Sequence, residues 1–187
     1  SLSISPPPAN GLPLNGQPLP SAPDGIFTKY TASVPAKTIA LDLKKIKDAA
    51  PARPIVFGPT RKPPSPTEPT DADFDNAAVW QVSLPKDALT GLHELYLSAD
   101  YTGDVARASI ANTFVDDNFY FGQPWEIGIK RFSPNIQNAG LTIKILPLRK
   151  DLPIYLEPGK RPEFNDKGEA LTLRSVTAIP EYQLRLE

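Results

Sequence analysis

The chain has no cysteine, no methionine and a single histidine, His93, among its 187 residues. Without cysteine there are no disulfides, no thiolate nucleophile and no thiol-ligated zinc or iron–sulfur centre. One histidine excludes the multi-histidine sites of zinc enzymes. The missing methionine, with no charged start leading into an apolar stretch, reads as a mature product or a piece cut from a longer protein. Apolar runs are only a few residues long, so no membrane-spanning helix is expected. The formal net charge of −1 lacks the basic footprint of a nucleic-acid binder. Neither a G-x-S-x-G nor a P-loop pattern occurs, which leaves nucleophilic and phosphoryl-transfer chemistry without sequence support.

Proline is what the chain has in excess. Of 23 prolines, seven fall in residues 1–25 and seven in residues 51–69. Proline fixes φ and removes a backbone donor, so both stretches are expected to be extended or loop-like. Residues 1–25 read as a linker or strap. Residues 51–69 read as a long loop with a short strand at 55–57, inside a single domain over residues 26–187. A loop of that length usually serves function or packing against another domain.

Leu, Ile, Val and Phe make up roughly a quarter of the chain, enough to build a core and too many for wholesale disorder. They alternate with period two, the mark of half-buried strands. Trp80, Val82 and Leu84 share a face, as do Leu95, Leu97, Ala99 and Tyr101. The same holds for Ala106, Ala108 and Ile110, for Trp125, Ile127 and Ile129, and for Leu141, Ile143 and Ile145. Residues 171–179 continue the pattern, and 182–186 place Tyr182, Leu184 and Leu186 on one side. Residues 26–34 and 39–43 also read as strands. Residues 42–50 are the one stretch with helical character, stopped by Pro51. Many short strands joined by Gly, Pro, Asn and Asp turns predict an all-β chain folded as an antiparallel sandwich of jelly-roll type.

Glu94, Asp100, Asp104, Asp116, Asp117 and Glu126 are the carboxylates available for glycosidic chemistry, which needs two across one sugar bond. Their spacing singles out no pair, and solvated turns are the plainer reading. Asp71-Ala-Asp73-Phe-Asp75-Asn76 begins like a calcium loop, but Asn76 stands where a glycine is expected and Val82 where the bidentate glutamate belongs. Asp116-Asp117-Asn118 is another oxygen-rich turn. No metal and no cofactor is expected.

Phe119, Tyr120, Phe121 and Trp125 fall within a few residues, interrupted by Gly122 and Pro124. One reading is a platform on which sugar rings stack, with polar neighbours bonding hydroxyls. The other is a plug that closes the end of the sandwich or buries against a partner domain. A tight turn at Gly122 and Pro124 would push its neighbours outward. That makes Tyr120 and Trp125, with Asp117 and Arg131 beside them, the candidate residues for contact with carbohydrate or with another domain.

Asp100-Tyr-Thr-Gly-Asp-Val-Ala106 and the run Phe114-Val-Asp-Asp-Asn-Phe-Tyr-Phe-Gly-Gln-Pro-Trp-Glu-Ile-Gly-Ile-Lys-Arg-Phe132 resemble a non-catalytic, galactose-binding-like β-sandwich domain of family 35 glycoside hydrolases, the β-galactosidases. Pro162–Glu169 and Val176–Tyr182 resemble the end of the same domain. The likeness covers roughly residues 75–187. It departs at a hairpin turn that reads Asn112-Thr113 where the family usually carries glycine, so Asn112 is expected at positive φ or the turn reshaped. The resemblance implies an accessory domain of a larger secreted or periplasmic enzyme, packed on a catalytic barrel and assisting recognition of a galactoside or other glycan. It also implies that the catalytic acids lie on that barrel, which needs about 200–250 residues of its own. By itself this chain is then no enzyme, and Glu126 is expected to pair locally with Lys130 or Arg131 or to accept turn N–H groups. The alternative is an independent carbohydrate-binding module that uses residues 118–132.

Overall fold

The computed structural model describes residues 1–58 and 65–186. The chain opens with short strands β1 (Leu2–Ile4), β2 (Pro13–Leu14), β3 (Gln17–Pro18), β4 (Ser21–Asp24) and β5 (Phe27–Tyr30). β1, β5 and β4 pair as a small antiparallel sheet, and β2 with β3 makes a separate hairpin. Residues 1–25, expected as a linker or strap, thus carry strands. Asn15 and Gly16, at φ 52° and 73°, close the β2–β3 hairpin with the two positive-φ residues a tight turn wants. Pro13, Pro18 and Pro23 sit in two- to four-residue edge strands, where a missing donor is tolerated, and the other four prolines of the stretch lie between strands. The piece is tied to the rest by a Leu14–Leu186 bridge and, through the following segment, by the Lys37 N–H donating to the Tyr182 hydroxyl at 2.7 Å.

The main body is β6 (Asp42–Lys47), β7 (Ala78–Ser83), β8 (Glu94–Thr102), β9 (Val105–Ile110), β10 (Thr113–Phe119), β11 (Trp125–Gly128), the short helix α1 (Asn135–Ala139), β12 (Leu141–Ile145), β13 (Leu148–Arg149), β14 (Glu169–Ala170) and β15 (Thr172–Glu181). One antiparallel sheet runs β10-β9-β12-β7-β6; the other runs β11-β8-β15. The chain repeatedly changes sheet between neighbouring strands, the connectivity of a jelly-roll sandwich rather than a closed barrel. Among the described residues no helix is long and apolar enough to cross a membrane.

The alternating faces meet as expected. Val82, Leu95, Leu97, Ala99, Ala106, Ala108, Leu141, Ile143 and Ile145 are wholly buried between the sheets. Each large aliphatic side chain there is worth about 1.5–3 kcal/mol. Leu184 and Leu186, expected on a buried face, are instead exposed beyond the end of β15. Residues 42–50 do not form a helix. β6 pairs along β7, because β7 is fully core-facing on alternate residues and offers an open backbone edge that one amphipathic helix turn cannot satisfy.

β8 turns into β9 through Gly103-Asp104. A Cβ on Gly103 would lie 2.3 Å from Ile145 Cγ2 and 2.9 Å from the Leu146 carbonyl oxygen, so only glycine allows this approach. The β9–β10 hairpin turns at Ala111 and Asn112, with φ 47° and 66°. Asn112 adopts the positive φ expected of it, but the turn sits one residue earlier, and alanine in that region costs about 1–2 kcal/mol. The long proline-rich loop lies partly outside the described residues. Its described ends are pinned by Arg53, which donates to the Thr67 carbonyl at 2.9 Å and to Asp104 at 3.3 Å, and by the Ala52 N–H, which donates to Glu169 at 2.7 Å. Its strand expected at 55–57 reduces to a single Phe57–Pro66 bridge.

Candidate functional site

The aromatic segment divides by strand geometry. Within β10, Val115 faces the core and Phe119 faces out; Tyr120 follows, turned inward. Tyr120 and Trp125 retain only 9% and 5% of their exposure. Tyr101 sits between them, its ring 5.7 Å from Tyr120 and 6.3 Å from Trp125, both edge to face. The Tyr101 hydroxyl donates to the Asn118 carbonyl at 2.9 Å, and burial pushes its pKa up. Tyr120 donates to the Lys160 carbonyl at 3.3 Å, and Trp125 Nε1 donates to Asp116 at 3.0 Å. These contacts overturn the expectation that Tyr120 and Trp125 form an outward contact surface: they plug the sandwich end. β11 continues the inward phase set by Ile127 and Ile129, so Trp125 has to point in. The outward rings are Phe114, Phe119 and Phe121, each roughly half exposed; of these, Phe119 and Phe121 belong to the cluster seen in the sequence without being among its candidate contact residues, and Phe114 lies outside that cluster.

Glu126 is exposed and has no ion pair among the described residues. The carboxylate that accepts the N–H groups of Leu95 in β8 and of Lys130 in the turn after β11, each at 2.8 Å, belongs to Glu94. Arg131 is exposed and lies over the Phe132 ring at 4.7 Å; it joins neither of the two clefts on the sheet faces. Asp73 caps the 3-10 helix Asp71–Asn76 by accepting from the Thr70 N–H and hydroxyl, bonds that hold its carboxyl below the usual range. His93 faces Glu181 at 3.7 Å, both half exposed. Among the described residues no group of three or more His, Asp or Glu side chains is placed to hold a metal ion.

The first cleft, of about 740 Å³, lies on the outer face of the three-stranded sheet between the turn 120–124 and segment 159–163. A bulge in β15 between Leu173 and Ser175 releases Arg174 from the ladder and aims it at β8. Arg174 grips Asp100 through two bonds of 2.8 and 2.5 Å and donates to Thr102 Oγ1 at 3.0 Å. The guanidinium bonds hold the Asp100 carboxyl below its ordinary range. Gly122, at φ +85°, lets Lys160 pack where a Cβ would sit 2.6 Å from the lysine Cβ.

The second cleft, of about 620 Å³, lies on the outer face of the five-stranded sheet and includes Asp117. The register sets Lys144, Arg107 and Asp117 in one cross-strand row, and Thr142, Ser109 and Phe114 in the next. Arg107 is fixed by Phe74, whose ring centroid is 4.0 Å from the guanidinium carbon, and by Asp71 at 2.6 Å.

Asp104 is the one buried carboxyl among the described residues. Burial raises its pKa, and the charge of Arg53 partly offsets this. Of the acids found in the sequence, Asp100 is gripped by Arg174, Asp104 by Arg53 and Asp116 by Trp125, and Glu94 accepts backbone N–H groups, while Asp117 and Glu126 make no ion pair among the described residues. Comparison of the chain with family models, curated proteins and solved structures found no match.

Proposed function

We propose that this chain is a non-catalytic accessory module of a larger glycoside hydrolase resembling the β-galactosidases, one that packs on the catalytic domain and assists glycan recognition. The observation that carries the reading is the outward pair Phe119 and Phe121, 56% and 51% exposed, on either side of the buried Tyr120. Phe119 borders a hollow lined also by Pro66, Leu152 and Ile154 and by the Arg53–Asp104 pair. Exposed aromatic rings beside an arginine are favoured where a surface meets another protein. Two of the candidate acids, Asp100 and Asp104, are each tied up by an arginine and Asp116 by an indole, which supports a role without catalysis.

The test has two arms. The purified chain should not turn over a nitrophenyl β-galactoside. It should bind the catalytic barrel encoded in the same reading frame, and Phe119→Ser with Phe121→Ser should weaken that association by about tenfold or more, the scale of a lost contact anchor, without lowering the melting temperature. Turnover by the chain alone, or no association of the unaltered chain, would refute the reading.

A further inference from the structure

We infer that the groove on the outer face of the five-stranded sheet is a binding site for a neutral saccharide chain. The choice of a sugar rests on the reading just given; the groove itself does not.

The site follows from sheet register. Ala106, Ala108 and Ile110 point into the core, so Arg107 and Ser109 between them point outward. Their partners on β12 and β10 share that face. Phe114, Ser109 and Thr142 make one rung, and two strand spacings carry it across about 10 Å. Asp117, Arg107 and Lys144 make the adjacent rung. The 3-10 helix walls one end with Asp71 and Phe74, and the strained Ala111–Asn112 turn brings Asn112 to the groove.

Each part suits a polyhydroxylated ring. Phe114 is 56% exposed; the Arg107 guanidinium carbon lies 5.7 Å from its ring centroid, and the exposed part of the ring stands beside polar groups, the arrangement that accepts the C–H face of a sugar while its hydroxyls are bonded at the edge. Ser109 makes no side-chain hydrogen bond among the described residues, and Lys144 and Asp117 make no ion pair there. An ammonium and a carboxylate therefore stand on either side of Arg107, one to donate to hydroxyls and one to accept from them. Arg107 is already immobilised by Phe74 and Asp71, so binding orders one fewer long side chain. The charges of Arg107, Lys144, Asp71 and Asp117 cancel, which disfavours a polyanion.

The experiment is a titration of the chain with lactose, β-1,4-galactotetraose and cellotetraose, followed by amide chemical shifts. We expect saturable shifts at Ser109, Asn112, Phe114 and Thr142 with at least one of the three sugars. Phe114→Ala should weaken binding by about tenfold, the size of effect when a stacking ring is removed, with an unchanged melting temperature. Ser109→Leu, which fills the groove floor, should do the same. No saturable shift with any of the three, affinity unaltered in both variants, or a preference for dextran sulfate would overturn the assignment. A chain that takes sugar here yet does not associate with the catalytic barrel keeps this site and sinks the docking reading. A chain that docks but takes no sugar does the reverse.

Discussion

Trp125 and Asp116 join the two sheets at their edges: the indole N–H of β11 donates to the β10 carboxylate at 3.0 Å. Beside it, the Tyr101 hydroxyl of β8 bonds the Asn118 carbonyl of β10 at 2.9 Å. One flank of the sandwich is thus laced by polar bonds set within an aromatic cluster. Trp125→Ala should destabilise the chain by about 3–5 kcal/mol through the void it leaves. Asp116→Ala should cost about 1–3 kcal/mol by stranding a buried donor, and Asp116→Asn, which keeps an acceptor, should cost less. Urea unfolding measures all three; a loss under 1 kcal/mol for Trp125→Ala, well below the usual ~3 kcal/mol, would show that the flank is not cohesive.

Asp104 and Arg53 predict a pH dependence of definite sign. The folded Asp104 pKa lies above the ordinary 3.8. Its contribution is therefore complete below the unfolded value and is lost as pH rises through the folded one. Asp104→Asn, uncharged throughout, should gain on the wild type in chemical unfolding between about pH 4 and pH 7. Arg53→Ala, which leaves the carboxylate buried without its cation, should cost about 3 kcal/mol near neutrality and recover part of it in acid. An identical pH profile for the wild type and Asp104→Asn would contradict this.

Asp100 and Arg174 should behave oppositely and weakly. The Asp100 pKa is lowered by Arg174, so its contribution is present above the ordinary 3.8 and falls away as pH drops. Both side chains are nearly half exposed, so Arg174→Ala should cost no more than about 1 kcal/mol, shrinking with added salt. A larger, salt-independent loss in thermal or urea unfolding would mean that the first cleft is more enclosed than its exposure implies.

Two turn positions make paired predictions. Gly103→Ala should destabilise by about 1–3 kcal/mol because the new methyl meets backbone and Ile145. Ala111→Gly should stabilise by about 1 kcal/mol, since glycine adopts the φ of 47° freely. Calorimetric melting of the two variants should show shifts of opposite direction.

The core was readable because alternation is enforced: a strand that buries Leu95 must bury Leu97 and Ala99. The same rule, carried one strand further, puts Trp125 inside with Ile127 and Ile129; the Gly122 and Pro124 turn suggested otherwise, but a turn changes chain direction without changing the inward phase of the strand after it. Asn15-Gly16 was a hairpin signal hidden among prolines. The lysine-rich stretch of β6 looked helical because its pattern is mostly polar, and only the open edge of β7 decides its form. The Arg107 groove was invisible beforehand because it is made by register between three strands, and single-strand periodicity carries no information about which outward residues become neighbours.

The outermost strands of the large sheet carry different deterrents to association through their backbones. β6 presents Lys44, Lys45 and Lys47 along its edge, so a second strand approaching there would bring buried positive charge with it. β10 has a bulge between Phe114 and Asp116 followed by adjacent aspartates, which breaks the regular spacing that a foreign strand would need to zip on. Neither edge therefore offers a template for fibril growth, even though the interior is among the most strand-prone kinds of sequence. At these two edges an approaching chain meets side chains, whose identity can be selective, before bare backbone, which pairs with anything.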